Sequence, residues 1–174
     1  FVKDKVSSGI SVSFAGNPLL SWQIVAGGKK YKEEWVNVMV MSTAVENDIK
    51  VVVSDWGDTE ITKLALLLPD LNVQKLILNN NKFGDKGAKA IAAALPNSKV
   101  TVLYLKDNQI GDEGAKAIAA ALPNSKVTVL YLSSNQIGDE GAKAIAAALP
   151  SSKVTVLHFY SNQIGDEGAK ALAA

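Results

Sequence analysis

From about residue 73 onward the apolar and polar positions of this chain fall into one repeated phrase. In residues 100–126, VTVLYLKDNQIGDEGAKAIAAALPNSK, the apolar pair Leu103 and Leu105 has period two, which predicts a short strand with one inward face. Gly111-Asp112-Glu113-Gly114 then breaks the pattern, and Ala115, Ile118, Ala119 and Leu122 follow at i, i+3, i+4 and i+7, one stripe of a helix running to about Leu122. Asp112 is expected to cap the free N–H groups of the helix it precedes, with Glu113 favourably placed at its positive end. Pro123 ends the helix, and Asn124-Ser125-Lys126 leads back to the next strand. Lys116 is expected to face water, close enough to Asp112 and Glu113 for surface pairs worth a few tenths of a kcal/mol.

The phrase returns at residues 127–153 and again at 154–174, and 73–99 is a full unit with more changes. Asn81, Asn108, Asn135 and Asn162 mark the beat at a constant spacing of 27. Residues 46–72 align to 73–99 without a gap, so that Ile49, Val51, Ser54, Gly57 and Asp58 take the places of Leu76, Leu78, Asn81, Gly84 and Asp85. A unit of strand, turn and helix repeated at this period is a solenoid, and stacked units bury a continuous core.

The spacing LxxLxLxxNxI over Val100, Leu103, Leu105, Asn108 and Ile110, continued by the helix segment GDEGAKAIAAAL, resembles the ribonuclease-inhibitor-like class of leucine-rich repeat proteins. The resemblance implies an α/β horseshoe with a parallel β-sheet on the concave side and helices on the convex side. Strands about 4.8 Å apart beside helices about 8–10 Å apart account for the bend. It also implies that the asparagine column is a buried ladder satisfying backbone groups at the turn. Ser54 departs from that column.

Residues 1–45 do not repeat. Ile10–Phe14 alternates as a strand, Trp22–Val25 reads as a second strand before Gly27-Gly28, and Tyr31, Trp35, Val38, Met39 and Ser42 mark a helix with an aromatic inner stripe. An N-terminal α+β cap over 1–45, with Trp22 and Trp35 in its core, is the expectation, followed by the repeat array over 46–174.

Hydrophobic residues make up 48% of the 174, enough for such a core. A formal net charge of +1, with lysines interleaved among acids, argues against nucleic acid as partner. The chain contains no cysteine, which excludes thiol catalysis and cysteine-held metals. No apolar run reaches the roughly 18–20 residues of a membrane-spanning helix. The one histidine, His158, has no local nucleophile or metal partner, and no phosphate-binding or dinucleotide fingerprint follows a strand. The GDEG turns supply few oxygen ligands for calcium. No enzyme activity, cofactor or metal is expected.

The differences between copies carry the functional reading. Comparing 100–120, 127–147 and 154–174, the columns that change are Tyr104/Tyr131/His158, Leu105/Leu132/Phe159, Lys106/Ser133/Tyr160, Asp107/Ser134/Ser161 and Ile118/Ile145/Leu172. Two of these are conservative core exchanges; the others lie on or just after the strand, pointing outward. Exposed helix positions Lys116, Lys143 and Lys170 have not drifted. The candidate contact surface is therefore Lys75, Ile77, Asn79 and Asn80; Val102, Tyr104, Lys106 and Asp107; Val129, Tyr131, Ser133 and Ser134; and Val156, His158, Tyr160 and Ser161. Its aromatic stripe of Tyr104, Tyr131, Tyr160 and His158 suits a protein or peptide partner. A structural or self-assembling scaffold, homo-oligomeric through the uncapped helix at Ala174, and a carbohydrate-binding module are the competing readings. The regularity of the copies resembles bacterial repeat proteins. The start at Phe1 reads as a trimmed product, from a cytoplasmic or secreted effector.

Overall fold

The computed structural model describes residues 25–26, 29–30, 38–42, 49–53, 55–71 and 73–173. Each unit is a short strand followed by a helix. Strands β4 (Ile49–Val53), β5 (Val73–Ile77), β6 (Val102–Tyr104), β7 (Val129–Tyr131) and β8 (Val156–His158) lie side by side in parallel. β3 (Val38–Ser42) adds antiparallel to β4 at one edge, and β1 (Val25–Ala26) pairs with β2 (Lys29–Lys30) in a separate two-stranded ribbon. Helices α1 (Asp58–Leu67), α2 (Asp85–Ala94), α3 (Asp112–Ala121), α4 (Asp139–Ala148) and α5 (Asp166–Ala173) form the second layer, each against its neighbours. This is the leucine-rich-repeat solenoid, with the parallel sheet on its inner side and the helices outside.

The core is the same in each interior unit. Leu103, Leu105, Ile110, Ile118 and Leu122 are fully buried, and Phe83 takes the place of Ile110 one unit earlier. The α-helix stops one residue before Leu122, and Leu122–Asn124 continues as a 3₁₀ turn with Pro123 inside it, because proline offers no N–H for the longer helical bond. Ser125 closes the turn: its hydroxyl donates to the Leu122 carbonyl at 2.9 Å and accepts the Val127 N–H at 3.3 Å.

Asn81, Asn108 and Asn135 of the asparagine ladder are buried as expected, and Asn162 in the last unit is half-buried. Asn135 donates through Nδ2 to the carbonyls of Leu105, Leu132 and Ser133 at 2.9, 3.0 and 3.2 Å, and its Oδ1 accepts the Ile110 N–H at 3.1 Å. Each asparagine thus ties its own turn to the preceding unit.

The aspartates act differently from the expectation. Asp112 caps the next helix rather than its own: its Oδ1 accepts the N–H groups of Gly138 and Gly141, both at 2.8 Å. Asp85 does the same for Gly111 and Gly114 at 2.7 and 2.8 Å, and Asp139 for Gly165 and Gly168 at 2.7 and 2.9 Å. The cause is position. Gly111, not Asp112, occupies the cap, so the aspartate is the first helical residue and reaches sideways to the adjacent helix start. This contact also requires the second glycine, since a Cβ on Gly141 would lie 2.8 Å from Asp112 Oδ1, 2.6 Å from Ile137 Cγ2 and 2.9 Å from Ala115 Cβ. In α1 the equivalent position holds Glu60, whose Oε2 accepts the Gly57 N–H of its own helix at 3.0 Å.

The N-terminal region corrects the sequence reading in two places. Residues 38–42 form strand β3, so the helix drawn through Val38, Met39 and Ser42 is overturned there; Tyr31, Trp35, Trp22 and the strand at Ile10–Phe14 lie outside the described residues, as does Ser54. The ungapped match of 46–72 to 73–99 holds at the helix, where Asp58 binds Gly84 and Gly87 as its copies do, but fails at the strand. Val51 sits opposite Leu76, not Leu78, after a register shift between Ile49 and Lys50. The first unit thus has a shorter path from strand to helix, and its left-handed turn falls at Asp55 (φ 64°).

Candidate functional site

The outward positions of the sheet align in columns. Register places Lys75, Val102, Val129 and Val156 in one column and Ile77, Tyr104, Tyr131 and His158 in the next. Because equivalent residues sit one strand spacing apart, about 4.8 Å, flat side chains in a column must stack. Tyr104 and Tyr131 do so with centroids 4.3 Å apart and planes 7° from parallel. Tyr131 and His158 repeat the arrangement at 4.2 Å and 6°. Lys75 Nζ lies 5.6 Å from the Tyr104 centroid, covering the outer face of that end of the stack. Loss of water between its neighbours pushes the Tyr131 phenol up, and the Tyr104 hydroxyl adds to the shift.

The third column, Asn79, Lys106, Ser133 and Tyr160, begins just beyond the strands. Asn79 Oδ1 accepts the Lys106 N–H at 2.8 Å. The Lys106 ammonium lies 3.2 Å from the Asp107 carboxylate, whose hydrogen bond and charge raise its pKa, with a smaller contribution from Tyr160. Ser133 was expected on the surface and is instead fully buried, its hydroxyl without a hydrogen-bond partner. Lys106 and Tyr160, both longer, hold the same place in the column on the adjacent units. Tyr160 stands outside the ring stack and is 59% exposed. Asn80, Asp107, Ser134 and Ser161 follow with φ of 55–57°, the left-handed corner that turns each strand toward its helix.

The structure therefore brings Lys75, Tyr104, Tyr131 and His158 into one continuous row, with Ile77 at its head, and sets Val102, Val129 and Val156 beside it. Asn79, Lys106, Asp107 and Tyr160 form a second, polar row. Thr101, Thr128 and Thr155, just before the strands, turn their hydroxyls to the carbonyls of Gln74, Thr101 and Thr128 at 3.2–3.3 Å and serve the stack itself. The inter-unit aspartate caps escaped the sequence reading; the glycine pair that flanks each aspartate, invariant from Gly84 onward, is the signal that could have revealed them. Among the described residues no cluster of histidine and acidic side chains could hold a metal, and no helix is long and apolar enough to cross a membrane.

The sequence profile of the leucine-rich repeat family matches residues 71–92, 97–119, 124–146 and 151–173, just over half of the chain. No curated protein matches it. Among solved structures, actin-binding site 2 of leiomodin-1 is similar with a TM-score of 0.52 and 22% identity, over 71% of this chain and 78% of that one. An internalin (InlF) from Listeria monocytogenes is similar with a TM-score of 0.42 and 23% identity, over 63% of this chain; the chain spans only 29% of the internalin's length.

Proposed function

Because the chain belongs to the leucine-rich repeat family, whose repeats generally serve as protein–protein interaction modules, we propose that it is a non-enzymatic module that binds a protein or peptide through the concave strand face. The observation that carries this reading is the row Lys75, Tyr104, Tyr131 and His158. Stacking fixes the rings before any partner arrives, so little side-chain entropy remains to be lost on binding. Their edges and hydroxyls face outward as a ready contact strip.

The same geometry weighs against a carbohydrate ligand. Sugars pack on ring faces, and here both faces of Tyr131 and both faces of Tyr104 are occupied by neighbours. A protein surface, which can meet ring edges and hydroxyls, fits better. The full α-helix in every unit supports placement in the ribonuclease-inhibitor-like class, and the reading of a bacterial source rests on the regularity of the copies.

The test uses peptides selected from a display library on the whole chain. Replacing both rings, Tyr104→Ala with Tyr131→Ala, is expected to weaken them at least about 30-fold, the scale of an interface hot spot, while circular dichroism shows the fold retained. Undiminished binding by the folded double variant overturns the assignment to this face.

A further inference from the structure

The third column holds an interruption of the backbone ladder. In a regular parallel sheet the Lys106 N–H would donate to the Leu78 carbonyl, but both lone pairs of that oxygen are taken by the amides of Asn81 and Asn108 at 2.9 and 2.8 Å. The Lys106 N–H turns instead to the side chain of Asn79. One unit on, the Leu105 carbonyl is likewise filled by Asn108 and Asn135, at 3.1 and 2.9 Å, but the side chain in the place of Asn79 is now Lys106, which has no acceptor atom. One unit further, the Leu132 carbonyl is filled by Asn135 and Asn162, both at 3.0 Å, and the side chain is Ser133, whose hydroxyl accepts nothing. The N–H groups of Ser133 and Tyr160 have thus lost the side-chain acceptor that Asn79 provides, beside a buried hydroxyl that is itself unpartnered. Buried polar groups are ordinarily paired.

We propose that the Lys106–Ser133–Tyr160 column is a recognition site for a side-chain carboxylate of the bound protein, which the Ser133 hydroxyl, the Ser133 and Tyr160 N–H groups and the Lys106 ammonium would hold together. The proposal rests on the concave face being the binding face. A carboxylate fits because it is acceptor-only, with room for several donors. The charge also fits: Lys75 and Lys106 stand on these columns, Asp55 at the turn of the first unit is paired with Lys82, and Asp107 now occupies the Lys106 ammonium that an incoming carboxylate would share. Access to Ser133 needs only the side chains around it to shift, and exposed side chains change rotamer within nanoseconds. This also explains why the column differs in every unit: its residues set what the partner must offer.

The probes are the display-selected peptides that the tyrosine pair sensitises, each compared with its Asp→Asn and Glu→Gln counterparts at constant ionic strength. Lys106→Asn supplies the Ser133 N–H with the acceptor that Asn79 gives Lys106 and removes the ammonium; Ser133→Ala removes the hydroxyl alone. Each protein variant is expected to weaken acidic peptides about tenfold, to leave the amide counterparts unchanged, and to melt no lower than the wild type. Peptides that bind the tyrosine row with no dependence on an acidic residue, or that bind Lys106→Asn and Ser133→Ala undiminished, overturn the carboxylate site and leave the wider binding face standing. If no selected peptide responds to the tyrosine pair, both readings fall.

Discussion

From α2 to α5 the helix starts make the same bonds, whereas along the third strand column no two units make the same ones. Asp85, Asp112 and Asp139 each hold two glycine N–H groups of the following helix, and the second glycine of each pair leaves no space for a Cβ. Asn79, Lys106, Ser133 and Tyr160 face outward, and only the first of them returns a bond to the sheet. The difference teaches that regularity here is enforced by contacts between units. Where a side chain serves the neighbouring unit, a change breaks two units at once; where it serves the outside, each unit is free to differ.

The sharpest way to break this contrast is at a glycine. Gly141→Ala would push against Asp112, Ile137 and Ala115 together, and is expected to cost roughly 2–4 kcal/mol despite alanine's better helix propensity, through overpacking and loss of the cap. A melting temperature equal to or above that of the wild type would sink the account of the aspartate ladder. Asn135→Ala is next, since it removes four hydrogen bonds, two of them to the preceding unit, at a cost of about 1–3 kcal/mol from stranded buried groups. An unchanged denaturant midpoint would count against the ladder's importance.

On the outward side the sign reverses. Ser134 holds φ at 55°, a conformation its Cβ disfavours and asparagine or glycine tolerates. Ser134→Asn is therefore expected to raise stability by about 0.5–1 kcal/mol, read as a higher melting temperature; a lower one would show that the serine has a bond worth more than the strain. The smallest effect concerns Glu113 on the convex side, whose carboxyl is held below its usual range by Lys116 and then Lys89, at 3.3 and 3.4 Å. A depressed carboxylate pKa stabilises above the unfolded value and loses its contribution as pH falls through the folded one. The small advantage of the wild type over Glu113→Gln at neutral pH should be lost as the pH falls from the ordinary carboxylate range through the lowered folded value, and an advantage undiminished in strong acid would contradict the pairing.

Much of this was legible in the letters. Leu103 and Leu105 mark the strand, Ala115 to Leu122 the helix, and Asn135 the ladder, because each is imposed by a local period or by a repeat that pairs with its own copy. The first unit was harder to read. Its helix keeps the common spacing, but Val51 and Val52 pair with Leu76 and Ile77 two residues short of the repeat spacing, which shortens the turn, and a matching letter count cannot reveal where two missing residues fall. Strand β3 was hidden for a related reason: Val38, Met39 and Ser42 also fit a helical stripe, and a short apolar run is settled by the edge it pairs with, here β4.

The solenoid, its period, its core columns and the positions that vary all follow from the letters, since a unit that repeats must bury the same face against the next copy. Where the variable and invariant polar groups point was set by the packing of unit on unit. It sent each aspartate to the neighbouring helix, buried Ser133 in a column that was expected to be exposed, and stacked Tyr104, Tyr131 and His158 at the strand spacing. Those outcomes depend on distances between units, which no residue carries in its own neighbourhood along the chain.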